Sequence, residues 1–284
     1  MSQEDNRRID TTLGDAATQL APVSESPRLD AEILLCRTID MPRSYLFAHP
    51  EDVLDDTTFS RFDALLRRRL GGEPMAYITG TREFWSHEML VSPATLVPRP
   101  ETELLVELAL REIPRKASWR ILDLGTGCGA IAVALAGERL MCEVTAVDID
   151  EAALAIAAEN ARQLALGNVT FAQGSWCEPV CDQRFELIVS NPPYVRADDE
   201  ALTELRFEPI EALVAGPDGL DAIRRLAADC IDILRADGAL LIEHGADQAE
   251  DVAMLLARAG WTGILNHRDF SGHPRVTVAR KDGK

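Results

Sequence analysis

Ile121-Leu122-Asp123-Leu124-Gly125-Thr126-Gly127-Cys128-Gly129 decides the fold. An apolar run of strand length breaks into a loop with glycine at every second place. An apolar helical run, Ala130–Ala136, follows at once. Glycine reaches positive φ and lets a ligand approach the backbone. The spacing is G-x-G-x-G, not the G-x-G-x-x-G of dinucleotide sites. Asp123 stands two residues before the first glycine. A carboxylate there suits a ligand bearing an ammonium group better than one bearing a pyrophosphate.

Outward from this loop, strand-like and helical runs alternate. The strand-like runs are Ile121–Leu124, Val144–Val147, Val169–Phe171, Leu187–Val189, Ala239–Ile242, Gly263–Leu265 and Val276–Ala279. The helical runs are Ala130–Ala136, Glu151–Leu164, Leu220–Leu234 and Gln248–Ala259. Such alternation predicts an α/β domain whose mostly parallel sheet carries helices on both faces. Ligands on such sheets bind at the carboxyl ends of the strands. Asp148 closes the second of these strands, about 20 residues past the loop, where an acid binds ribose hydroxyls. As an ordinary strand-to-helix turn, the same stretch needs only Asp150 as its N-cap. Loop and acid together predict an adenosine-type cofactor. The loop spacing looks like that of S-adenosylmethionine methyltransferases and unlike that of nicotinamide enzymes.

Asn191-Pro192-Pro193-Tyr194 follows the strand Phe185–Val189. Two prolines fix the backbone and supply no N–H. The arrangement suits a planar, weakly nucleophilic nitrogen whose lone pair is delocalised. Amide resonance is strong enough to give peptide bonds a rotation barrier of ~18–20 kcal/mol. The Asn191 side-chain oxygen and the Pro192 carbonyl can accept both hydrogens of an NH2 group, and Tyr194 can stack on its plane. Catalysis of this kind is positioning and electrostatics, with no strong general base.

Upstream, residues 7–78 read as helical. Leu13, Ala16, Ala17 and Leu20 recur at helical spacing, as do Leu29, Ile33, Leu34 and Cys36 after Pro27. A third stripe, Phe59, Phe62, Leu65, Leu66 and Leu70, closes at Gly71-Gly72. The expected organisation is a helical bundle over 1–78, a β-hairpin linker over 79–98 and the α/β domain over 99–284. The hairpin rests on Phe84-Trp85 and Met89-Leu90-Val91, and Pro98-Arg99-Pro100 reads as the start of a helix.

Composition narrows the partners. The 284 residues carry 29 Lys+Arg against 47 Asp+Glu, a net charge of −18, so no nucleic-acid partner is expected. No apolar run reaches the ~18 residues of a membrane helix, and the polar N-terminus lacks a signal-peptide core. Six scattered cysteines without a C-x-x-C pair read as free thiols of a cytoplasmic protein, and no metal-site spacing is present.

Asn-Pro-Pro-Tyr after a methyltransferase loop is shared by enzymes that methylate adenine in DNA and by enzymes that methylate a glutamine in release factors. Nearly the whole chain resembles the second, the HemK/PrmC family. The likeness runs through Ser26–Glu32, Gly72–Pro74, Arg82–Trp85, Pro98–Glu103, Asp123–Gly129, Ser190–Tyr194, Arg206–Pro209, Glu243–Gly245 and Arg275-Val276. The resemblance implies a Rossmann-like class I methyltransferase with a seven-stranded mixed sheet. It implies S-adenosyl-L-methionine as cofactor, contacted by Gly125, Thr126, Gly127, Cys128 and Gly129, and by Asp148, Trp176 and Asn191. It implies that Asn191, Pro192, Pro193 and Tyr194 grip the glutamine of a Gly-Gly-Gln motif in class I peptide chain release factors. It also implies that the helical bundle holds the protein substrate. Ser175 departs from the pattern: the family usually has an acid there, which would hold the adenine amino group. An adenine methyltransferase and a catalytically silent cofactor-binding scaffold are the competing readings. The acidic charge opposes the first and the intact tetrapeptide the second.

Overall fold

A computed structural model describes residues 7–283 of the chain. The chain divides into two compact units, Met1–Gly80 and Thr81–Lys284.

The first unit is helical: α1 (Ile9–Leu20), α2 (Pro27–Ile39), α3 (Arg43–Ala48), α4 (Asp56–Leu70) and α5 (Met75–Thr79). Its core gathers Ile9, Leu13, Leu20, Leu34, Leu35, Phe62 and Leu66. Pro27 opens α2, and Asp55 caps α4 by accepting from the Thr58 amide at 2.7 Å. Gly72 follows α4 at φ 90°, the left-handed place that glycine fills without strain. Leu29, expected in the apolar stripe, is instead 38% exposed. The acids of the same Ser26–Glu32 stretch are buried alongside Ala31. Asp30 pairs with Arg69 at 2.8 Å, and Glu32 with Arg28 and Arg43 at 2.8 and 2.6 Å. Leu29 lies about 200° around α2 from Ala31, which joins Leu34 and Leu35 in the core, and so it points outward.

The second unit opens with β1 (Thr81–Phe84) and β2 (His87–Leu90), an antiparallel hairpin. Its two turn residues, Trp85 and Ser86, both have positive φ (51° and 61°). Positive φ at both central residues is the turn whose twist matches paired strands. A short 3₁₀ turn, Pro100–Thr102, precedes α6 (Glu103–Glu112), so the helix expected at Pro98 begins five residues later. Arg99 remains extended, at φ −94° and ψ 143°, because the following proline disfavours a helical backbone there.

From there the chain runs β3 (Arg120–Leu124), α7 (Ala130–Glu138), β4 (Glu143–Asp148), α8 (Glu151–Gln163), β5 (Val169–Gln173) and β6 (Phe185–Ser190). It ends with α9 (Asp221–Ile233), β7 (Leu234–Glu243), α10 (Ala249–Arg258), β8 (Thr262–Arg268) and β9 (Pro274–Arg280). The seven-stranded sheet has the order β5-β4-β3-β6-β7-β9-β8. Neighbours from β5 to β7 are parallel, while β9 is antiparallel to both β7 and β8. Leu122, Leu124, Ile188, Leu240 and Ile242 are fully buried, as parallel strands covered on both faces require. The chain winds outward from β3 to β5 and then returns to β6 on the other side of β3. The order reverses between β3 and β6, and a crevice at such a switch point is where ligands bind. No helix among the described residues is long and apolar enough to cross a membrane.

Candidate active site

A cavity of about 400 Å³ opens at the carboxyl ends of these strands. Gly125, Thr126, Gly127 and Cys128 line it after β3, Asp148 at the end of β4, Ser175 and Trp176 after β5, and Asn191 and Pro193 after β6. Three carboxylates, Asp148, Asp150 and Glu211, face it, and among the described residues no lysine or arginine does. Such a lining favours a cationic ligand over a phosphate-bearing one.

Asp148 shapes the loop as well as lining the cavity. Its Oδ2 accepts from the Gly127 amide at 2.8 Å and its Oδ1 from the Asp150 amide at 3.0 Å. Gly127 has φ 56°, and an added Cβ there would meet nothing within 4 Å. Gly125, at φ 71°, lies under the Trp176 ring: a Cβ would stand 3.7 Å from Cζ3. Trp176 itself has φ 50°, a costly conformation for a large side chain, and strain of this sort collects at ligand sites.

Two residues of the glycine-loop stretch named from the sequence stand elsewhere. Asp123 is fully buried beneath the loop, outside the cavity lining. Its Oδ2 accepts from the Thr126 hydroxyl at 2.7 Å and the Ala132 amide at 3.1 Å, while Oδ1 has no partner among the described residues. Burial pushes this carboxyl up to about 7. Gly129 does not line the cavity either. A Cβ at this residue would stand 2.9 Å from the Ala157 Cβ, so the third glycine lets α7 and α8 approach. Cys128 faces the cavity, but burial pushes its thiol up to about 12, which makes it a poor nucleophile.

The tetrapeptide is held from several sides. The Ser190 hydroxyl donates to the Leu124 carbonyl at 2.7 Å, locking the end of β6 to that of β3. Asn191 Nδ2 donates to the Thr102 hydroxyl at 3.2 Å, which leaves Oδ1 for another donor. Pro192 is buried, while Pro193 reaches the cavity. Tyr194 lies outside the cavity lining, and its hydroxyl donates to Glu243 Oε1 at 3.4 Å. Burial pushes the pKa of this phenol up, so it stays protonated. Gln248 Nε2 donates to the Tyr194 carbonyl at 3.0 Å. Gly219, at φ 73°, passes so close to that carbonyl that a Cβ would stand 2.3 Å from its oxygen.

With this geometry in place, the chain's relatives can be compared. The family described as PrmC N-terminal domain matches residues 11–80, and the Methyltransferase small domain family matches residues 101–212. A release factor glutamine methyltransferase of Vibrio cholerae is 47% identical over 276 residues, covering 96% of this chain and 96% of the relative. The chain belongs to the release factor glutamine methyltransferase family. The Escherichia coli member is 46% identical over 270 residues, 94% of this chain and 97% of the relative. A methyltransferase from Pyrococcus furiosus, 17% identical with a TM-score of 0.53, covers 76% of this chain and 97% of its own and shares the fold.

Some supporting contacts could not be read from any local motif. Asn160, 1% exposed on α8, clamps the hairpin to the glycine loop. Its Oδ1 accepts from the Leu90 amide at 2.7 Å, and its Nδ2 donates to the Leu90 and Cys128 carbonyls at 3.0 and 2.8 Å. Glu208, from the long segment after β6, pairs with Arg99 and accepts from the Val97 amide at 3.0 Å. That pairing brings Pro209, Glu211 and Ala212 to the cavity wall. Asn160 stands in the last turn of α8 and the Arg99–Glu208 pair spans 109 residues, so neither contact shows in local periodicity.

Proposed function

We propose that this chain transfers a methyl group from S-adenosyl-L-methionine to the side-chain amide nitrogen of the glutamine in the Gly-Gly-Gln motif of class I peptide chain release factors. The observation that carries this reading is the placement of Asn191 at the rim of an acid-lined cavity that no described lysine or arginine enters, with Nδ2 held and Oδ1 available. The naming of relatives at 47% and 46% identity as release factor glutamine methyltransferases supports it.

The residues fit the cofactor. Open space over Gly127 admits a ligand to the backbone, and both Asp148 oxygens, already fixed by amides, keep lone pairs for ribose hydroxyls. Trp176 and Ser175 offer a ring face and a hydroxyl where an adenine would lie, and Gly125, Thr126 and Cys128 complete the wall. When bound, S-adenosylmethionine supplies an electrophilic methyl on a sulfonium.

The chain's own part is positioning. Asn191 Oδ1 and the Pro192 carbonyl each accept one hydrogen of the glutamine NH2, drawing electron density onto nitrogen and fixing its direction. Pro192 and Pro193 keep that carbonyl from swinging. Tyr194 presents its ring to the amide plane. These contacts strengthen as the nitrogen loses planarity, so they act on the transition state more than on binding. The Met1–Gly80 unit, which exposes Met41 and Phe47, holds the release factor. No nucleic acid, membrane or metal takes part, and the reaction belongs to the cytoplasm. The test is transfer from labelled cofactor to a release factor and, in parallel, to DNA. Label on the release factor alone supports the reading. Label on DNA moves the chain to adenine chemistry, and label on neither leaves it a scaffold.

A further inference from the structure

Two chemistry-bearing side chains of the tetrapeptide converge on one buried carboxyl group. Glu243 ends β7 and is 1% exposed. The register that pairs Ser190 with Ile242, and Glu243 with Val276, carries it to the strand ends beside Asn191. Its Oε1 receives the Tyr194 hydroxyl at 3.4 Å. Its carboxyl also feels the Thr102 hydroxyl, and Thr102 in turn receives Asn191 Nδ2 at 3.2 Å. Oε2 has no well-formed hydrogen bond of its own among the described residues.

Burying a carboxyl costs several kcal/mol unless it is fully paired, and an apolar side chain in its place would cost nothing of the kind. A half-satisfied acid one residue removed from the reacting group calls for a task.

We propose that Glu243 is a positioning residue for methyl transfer, acting through the Thr102 hydroxyl on the Asn191 amide and through the Tyr194 hydroxyl on its ring. The proposal rests on the reading of Asn191 as the acceptor of the substrate amide hydrogens. An ionised Glu243 accepts a hydrogen bond from the Thr102 hydroxyl, so the Thr102 lone pairs face Asn191 Nδ2 and Asn191 Oδ1 faces the substrate. A protonated Glu243 donates a hydrogen bond to the Thr102 hydroxyl oxygen. The Thr102 hydroxyl then turns toward Asn191 and favours the flipped amide, which presents NH2 where the substrate needs an acceptor. The groups that bias Glu243 come from every side. Arg275 on β9 and the Thr102 and Tyr194 hydroxyls favour the ionised form, while Glu101 beside Thr102 opposes it. His244, next in the chain, is held toward its neutral form by burial and adds little charge. Burial outweighs the favourable contacts and pushes the Glu243 carboxyl up to about 7, so both forms are populated near neutral pH.

The experiment compares full-length wild type with E243Q, T102V and T102S on a release factor. It reads kcat, KM, cofactor Kd and melting temperature from pH 5.5 to 9. Wild-type kcat should rise with pH through about 7 and level off. E243Q and T102V should lose roughly ten- to a hundredfold in kcat, the scale of a lost hydrogen bond to a charged group. Their cofactor Kd should stay within threefold, and the E243Q profile should be flat through neutrality. T102S, which keeps the hydroxyl, should recover most of the T102V loss. If E243Q is insoluble, the T102V and T102S pair decides. The proposal is overturned if kcat in E243Q or T102V stays within twofold of wild type. It is equally overturned if cofactor affinity and melting temperature fall in step with kcat, which marks a merely structural role. Should wild type methylate DNA instead, the substrate reading fails, and the same comparison on that acceptor still decides Glu243.

Discussion

Asp148 Oδ2 accepts the Gly127 amide at 2.8 Å, which joins the end of the second parallel strand to the turn that follows the first. One carboxylate thus sets the loop's shape and faces the cavity it encloses. Replacing Asp148 with alanine should weaken cofactor binding by about 1.5–3 kcal/mol, the scale of hydrogen bonds to a charged group. Isothermal calorimetry on the folded variant checks this. Unchanged affinity would remove Asp148 from the site.

The glycines should separate by role. Gly129→Ala drives a Cβ to 2.9 Å from the Ala157 Cβ at a φ of 83°, so it should lower stability by about 1–3 kcal/mol. Pairing it with Ala157→Gly should relieve part of the clash but not the strained φ. Gly219→Ala would instead push on the Tyr194 carbonyl, 2.3 Å from the added Cβ, and should lower kcat more than cofactor affinity. Denaturant midpoints and steady-state kinetics distinguish the two.

Much of this was open to reading in the chain itself. The glycine loop, Asp148 and Asn191–Tyr194 are local patterns, and the sheet brings their cavity-lining members to one cavity. The strand-like runs fell inside the observed strands, and those of β3, β6 and β7 stood out because buried parallel strands are continuous apolar runs. What stayed hidden depends on distant pairing. The antiparallel insertion of β9 between β7 and β8, the Asn160 clamp and the Arg99–Glu208 pair all join segments far apart in the chain. Asp123 was legible as an acid beside the loop, but its full burial follows only from α7 closing over it.

Asp123 also gives the stability a pH dependence. Its carboxyl titrates near the ordinary 3.8 when unfolded and about 7 when folded. Between those values the folded state binds the extra proton, so stability falls as pH rises from about 4 to about 7 and then levels off. Asp123→Asn keeps an acceptor for Thr126 and Ala132 without the buried charge. Its melting temperature should therefore lose less than wild type between pH 5 and pH 8. An identical slope in both proteins would show that Asp123 is not the group responsible.

Asn160→Ala removes one amide that serves three backbone groups. Each buried group left unpaired costs about 1–3 kcal/mol, so stability should drop by at least about 2 kcal/mol. Hydrogen exchange should quicken at the Leu90 amide, the one donor among the three. Unchanged exchange there would mean that the hairpin is held by other contacts.

The central claim is that Asn191 and the Pro192 carbonyl aim a glutamine amide nitrogen at the donor methyl. The most direct measurement is tandem mass spectrometry of the Gly-Gly-Gln peptide from a release factor treated with wild type or Asn191→Ala. Wild type should add a single methyl on the glutamine side-chain nitrogen. Asn191→Ala should add it roughly a hundred- to a thousandfold more slowly, by analogy with losing one oxyanion-hole donor. Its cofactor affinity should be far less affected. A methyl on any other residue, or near-normal turnover by Asn191→Ala, would contradict the account.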